Sequence, residues 1–144
     1  MNMWHYLWPL FLIVCSNVVY NLSTKSTPQS ASPFFSLLIT YLVGAAASLV
    51  LFFFTSQDRN LLQNIAKINW TSVLLGLAVV GLETGYLFLY RAGWNISKGP
   101  LTANILLSSI LLIVGALVFH ETISVKQLLG VAVCFVGLVL ISSK

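Results

Sequence analysis

An all-α integral membrane protein with five transmembrane helices is the fold class that the sequence predicts, and three observations carry it. Hydrophobic residues make up 58% of the 144 residues and charged residues only 7%, whereas soluble domains run nearer a quarter charged. The mean hydropathy is +0.95. The apolar residues gather into five runs, at about residues 6–23, 33–55, 71–92, 99–119 and 125–142. Each has roughly the 17–25 residues that carry a helix across ~30 Å of hydrocarbon. Too little charge remains to coat a water-facing surface, so the runs read as spans and not as buried helices of a soluble protein.

The first run, "MNMWHYLWPLFLIVCSNVVYNL", has neither the basic start nor the small-residue cleavage site of a signal peptide, and reads as a retained span. Trp4, Tyr6 and Trp8 are placed for an interfacial belt. The second span opens on "SASPFF", with Ser32 as the N-cap and Pro33 at the first helical position. Next comes the one sizeable polar loop, residues 55–69, in which Leu61, Leu62, Ile65 and Ile68 predict a short interfacial helix. Trp70 and Trp94 bracket the third span, and Gly99-Pro100 marks the mouth of the fourth. Before the fifth, Ser124 and Gln127 stand three apart in a capping-box pattern. The chain reads as one domain over residues 1–144 without low-complexity tracts or internal repeats.

The third span, "LLGLAVVGLETGYLFLYRAGW", carries a glutamate, Glu83, near its middle. A carboxylate at bilayer depth is expensive and is seldom kept without a purpose. A merely structural group could be Gln, at lower desolvation cost. Helical spacing puts Gly76, Val79, Glu83, Tyr86 and Tyr90 on one face. Asn17, Tyr20 and Asn21 share a face of the first span; Asn104, Ser108, Leu111 and Gly115 share one of the fourth. In the second, Tyr41, Gly44, Ala45 and Ser48 form a mostly small face suited to close packing. Polar groups at this depth point into the bundle or a wet cavity. Glu83, Tyr86, Tyr90, Asn17 and Asn104 are therefore the candidate binding residues. For the asparagines and serines, interhelical hydrogen bonding is an equal alternative. Gly130, Cys134 and Gly137 make a small-residue stripe on the fifth span, suited to a contact between two copies or to packing within one bundle.

The chemistry that is missing narrows the classes further. There is no HExxH, GxSxG, P-loop or CxxC. Cys15 and Cys134 each sit inside an apolar run as small apolar residues, and His5 and His120 lie at span ends, so no metal, cofactor or redox site is expected. The seven Lys and Arg stand singly, giving a net charge of +4 but no basic patch for nucleic acid. Across five spans, Arg59, Lys67 and Lys126 fall on one side and Lys25, Arg91, Lys98 and Lys144 on the other. With so little bias, insertion both ways round is as open as one fixed orientation.

Residues 110–142, "ILLIVGALVFHETISVKQLLGVAVCFVGLVLIS", resemble the closing signature of EamA-type drug/metabolite transporters, with Glu121, Gln127, Gly130 and Gly137 at the signature positions. "SASPFF" and "GYLFLYRAGWNISKGPLTANIL" also look similar, so the resemblance extends over essentially the whole chain. It implies a single five-span EamA-like unit, where most members carry two in tandem and inverted. The last helix is similar as well to the dimerising glycine helix of the four-span small multidrug resistance proteins.

There are departures. "LLSSILL", around Ser108 and Ser109, lacks the proline often found inside the family's fourth helix, and His120 replaces a small residue before Glu121. The coupling glutamate of the small multidrug resistance proteins lies in the first helix, where this chain has Asn17, so Glu83 inherits no role by motif. Glu121, at a helix end, reads as an anchor for the turn.

What the resemblance implies is a multi-pass protein of the inner (plasma) membrane that exports or exchanges a small metabolite or drug-like molecule. Balanced charge suits an antiparallel homodimer standing in for the tandem inverted pair. Protons would couple through Glu83, with Gly130, Cys134 and Gly137 at the dimer contact. The alternative is a non-transporting membrane subunit that stabilises a larger complex.

Overall fold

The computed structural model describes residues 3–56 and 59–142, and every regular element in them is helical. In chain order these are α1 (Met3–Ser26), α2 (Pro33–Thr55), α3 (Leu61–Ile65), α4 (Trp70–Arg91), α5 (Lys98–Val118) and α6 (Val125–Ser142). Among the described residues, four stretches are long and apolar enough to cross a membrane: Leu7–Ser26, Pro33–Thr55, Trp70–Arg91 and Lys98–Val118. The fifth apolar run forms α6, whose apolar part, Val125–Ile141, is shorter than these four. With 18 residues, α6 is about 27 Å long, a little under the ~30 Å hydrocarbon core.

The helix ends follow local chemistry. Pro33 opens α2 behind Ser32, whose backbone is extended (φ −61°, ψ 127°) but whose side chain makes no capping bond. Proline's fixed φ and missing N–H suit the first turn without it. The short helix α3 forms where expected, capped by Asn60 Oδ1, which accepts from the N–H of Leu62 at 3.1 Å and of Gln63 at 3.4 Å. Asn69 Oδ1 likewise accepts from the Thr71 N–H at 3.0 Å at the head of α4. At α6 the capping box closes reciprocally: Ser124 Oγ accepts from the Gln127 N–H (3.2 Å) and Gln127 Oε1 from the Ser124 N–H (2.8 Å).

The end of α5 is less ordinary. The Gly115 carbonyl accepts from the N–H of Phe119 at 3.1 Å and of Glu121 at 3.0 Å. Between them His120 takes φ +52°, a left-handed conformation that glycine usually supplies. The turn folds the Glu121 side chain over Gly115, where an added Cβ would lie 2.6 Å from Oε2. Glu121 thus bonds the end of α5 through its backbone N–H, and its side chain lies against Gly115.

The helices group into two compact units. One comprises Met1–Lys25 with Ala92–Lys144, the other Ser26–Arg91. In the first, α5 packs on α6, and Lys25 Nζ donates to the Trp94 carbonyl at 2.8 Å. In the second, α2 packs on α4. Arg91 there is half-buried and donates to the carbonyls of Ala31 (2.6 Å) and Pro28 (3.4 Å). Its guanidinium therefore serves the loop before α2 and does not simply reach out to the membrane surface. Among the described residues Leu37, Leu87 and Tyr90 are the buried hydrophobic ones, while many large apolar side chains, Phe54 at 82% among them, lie exposed. A water-soluble monomer does not present so much apolar surface; lipid or a second copy covers it without penalty.

Candidate functional site

In the unit of α2 and α4, the polar face expected on α4 is present. Glu83 and Tyr86 are half-buried and Tyr90 is buried at 5% exposure. The spacing of three and four residues stacks the two tyrosines, whose ring centroids are 6.3 Å apart and tilted by 34°. Packing of α2 on α4 adds a residue that the sequence did not single out as part of a site. Tyr41 of α2 meets the Glu83 carboxyl, and the two interact without a hydrogen bond of good geometry, leaving the buried Tyr41 hydroxyl unbonded. Thr84 Oγ1 is a second buried hydroxyl in this unit without a partner. A pocket of about 530 Å³ lies against the same helices, lined by Tyr41, Ser72, Leu75, Gly76, Val79 and Val80.

In the unit of α1, α5 and α6, the two candidate asparagines come together. Asn17 of α1 and Asn104 of α5 line one groove of about 400 Å³, with Asn21, Pro100 and apolar side chains around them. Asn21 is 9% exposed. Its Nδ2 donates back one turn to the Asn17 carbonyl (2.8 Å) and more weakly to Asn17 Oδ1 (3.3 Å). Asn104 also borders a smaller cavity of about 150 Å³ between α5 and α6, with Ser108, Ser109 and Cys134. The dimer candidates lie on α6. Gly130 and Cys134 are exposed, Gly137 is half-exposed, and a Cβ on either glycine would meet no atom within 4 Å. Cys15 is exposed as well.

The five candidate binding residues thus divide between the units, Glu83, Tyr86 and Tyr90 in one, Asn17 and Asn104 in the other. Chemically they supply one acid, two phenols and two carboxamides. Such a set can hold a cation or a proton at the acid and hydrogen-bond a polar molecule elsewhere. Tyr41 and Asn21 are the residues that reading the sequence missed. Both stood on noted faces, and the available signal was helical register: Asn21 lies four residues after Asn17, the spacing of a backbonding pair.

No curated protein and no solved structure matches the chain. A comparison with protein families matches the EamA-like transporter family over residues 3–143, nearly the whole length. With its apolar helices and a polar face on the third of them, the chain is a multi-pass membrane protein and belongs to the EamA-like transporter family, whose members carry small molecules across membranes.

Proposed function

We propose that the protein is a secondary active transporter that exports or exchanges a small metabolite or drug-like molecule across the inner (plasma) membrane. It works as an inverted homodimer of five-span units, with α6 as the fifth span and Gly130, Cys134 and Gly137 at the contact between copies. Glu83 alternately holds a proton and a cationic or amine-bearing substrate, while Tyr86, Tyr90, Asn17 and Asn104 line the path. The observation that carries this reading is Glu83 itself, a half-buried acid in the middle of α4 that faces a phenol and, among the described residues, no cationic side chain. A carboxylate so placed has its charge unmet until a proton or a cation arrives. The two cannot occupy it together, and that competition couples transport to the proton gradient.

The experiment is proton release from purified protein in weakly buffered solution on addition of candidate amines. Wild type releases protons as substrate displaces them, and Glu83→Gln, which cannot hold a titrating proton, releases none while remaining a folded dimer. A Glu83→Gln variant that no longer folds or dimerises would assign the residue to structure instead.

A further inference from the structure

Tyr41 touches both parts of the α2–α4 unit that matter for binding: it lines the 530 Å³ pocket, and it meets the Glu83 carboxyl. The pocket walls are apolar apart from Ser72 and Tyr41, with Leu75, Gly76, Val79 and Val80 supplied by α4. Glu83 follows Val79 and Val80 by one helical turn, so the acid continues the stripe that forms the wall. The Tyr41 hydroxyl is buried and closes no hydrogen bond. A phenol has one hydrogen to donate and lone pairs to accept with. Turned toward Glu83 it donates to the carboxylate, and its oxygen remains able to accept an N–H arriving from the pocket.

We infer that this pocket takes the apolar body of a primary ammonium ion, whose N–H groups bond the Tyr41 oxygen as its charge meets Glu83. The inference rests on Glu83 being the charged group of the substrate site. Charge complementarity selects the occupant. An acyl chain or a purely apolar surface would fill the walls and leave both the carboxylate and the hydroxyl unmet. A quaternary ammonium ion has the charge but no N–H, so it satisfies Glu83 and not Tyr41. Tyr41 is then the residue that distinguishes the two.

The test is binding of 2-phenylethylammonium and of its N-trimethylated counterpart to the full chain in lipid nanodiscs, by calorimetry, with empty nanodiscs subtracted. Wild type binds the primary amine more tightly. Tyr41→Phe weakens it by about tenfold or more, the size of one hydrogen bond to a charged group. The same change leaves the quaternary ion unaltered. Gly76→Leu, built where a Cβ meets no atom within 4 Å, fills the pocket and weakens both ligands. The inference is overturned if Tyr41→Phe affects both ligands equally or neither, if Gly76→Leu binds both as wild type does, or if wild type binds neither. Glu83→Gln separates the two levels. If it binds both amines like wild type, the Glu83 reading fails and takes this inference with it. If it loses both while Tyr41→Phe leaves the preference intact, this inference falls and the Glu83 reading stands.

Discussion

Glu83 and His120 are the single residues on which most turns, Glu83 for the proposed function and His120 for the turn after α5. Glu83 was legible in the sequence because an acid stands out in an apolar run whatever its rotamer. Tyr41 was not, because a phenol in such a run reads equally as packing, and only the pairing of α2 with α4 brings its hydroxyl to the acid. Asn21 was noted as sharing a face with Asn17, but its bond to the Asn17 carbonyl depends on a side-chain rotamer that spacing does not decide. His120 was equally opaque, since nothing in "VFHET" announces a left-handed residue, and its φ of +52° is visible only in the folded turn. Left-handed backbone costs an L-residue about 1–2 kcal/mol, part of which glycine returns as unfolded-state entropy. His120→Gly therefore raises stability by about 0.5–1 kcal/mol, while His120→Val, β-branched, lowers it; thermal unfolding in detergent ranks the three proteins.

At the scale of elements, the sequence located every helix of the described residues to within a few positions, because hydrophobic runs and caps are both local signals. The Ser124–Gln127 pair is the clearest case: its spacing alone predicted the reciprocal bonds that α6 shows. Ser124→Ala should cost about 1 kcal/mol. Gln127→Ala should cost less, and the double variant less than the sum, because each change removes the same box. Additive losses in a thermal-unfolding cycle would show that the two side chains act separately. In the sequence Arg91 stands only as one of the single cations on its side of the membrane. Its partners are carbonyls about 60 residues away in the chain, a relation no local pattern encodes. Arg91→Lys, lacking the planar fork, should loosen the loop at Pro28–Ala31 and expose it to limited proteolysis without altering helix content. Unchanged cleavage would remove Arg91 from that role.

For the whole molecule, the apolar surface and the two glycines of α6 bear on assembly. Gly130 and Gly137 have no atom near the space where a Cβ would stand, so within one copy they answer no packing need. Cys134 sits at the middle of α6 and is exposed. If α6 helices of two copies cross there, mild oxidation should yield a disulfide-linked dimer that Cys15→Ala retains and Cys134→Ala loses. Monomer alone on a non-reducing gel would place the contact elsewhere. The fifth span and the inverted pairing were read from run length and from the near balance of Lys and Arg between the two sides, quantities the whole chain carries and no single element reveals.

The inverted homodimer is the claim on which the transport reading turns, and topology tests it most directly. The C-terminus is fused separately to a reporter active only in the cytoplasm and to one active only outside it. Both fusions should report strongly if the proposed inverted pair forms, since a chain with so little charge bias is then inserted both ways round. Activity from one reporter alone would contradict the inverted dimer. It would leave a parallel assembly, or a subunit oriented by a different protein, in its place.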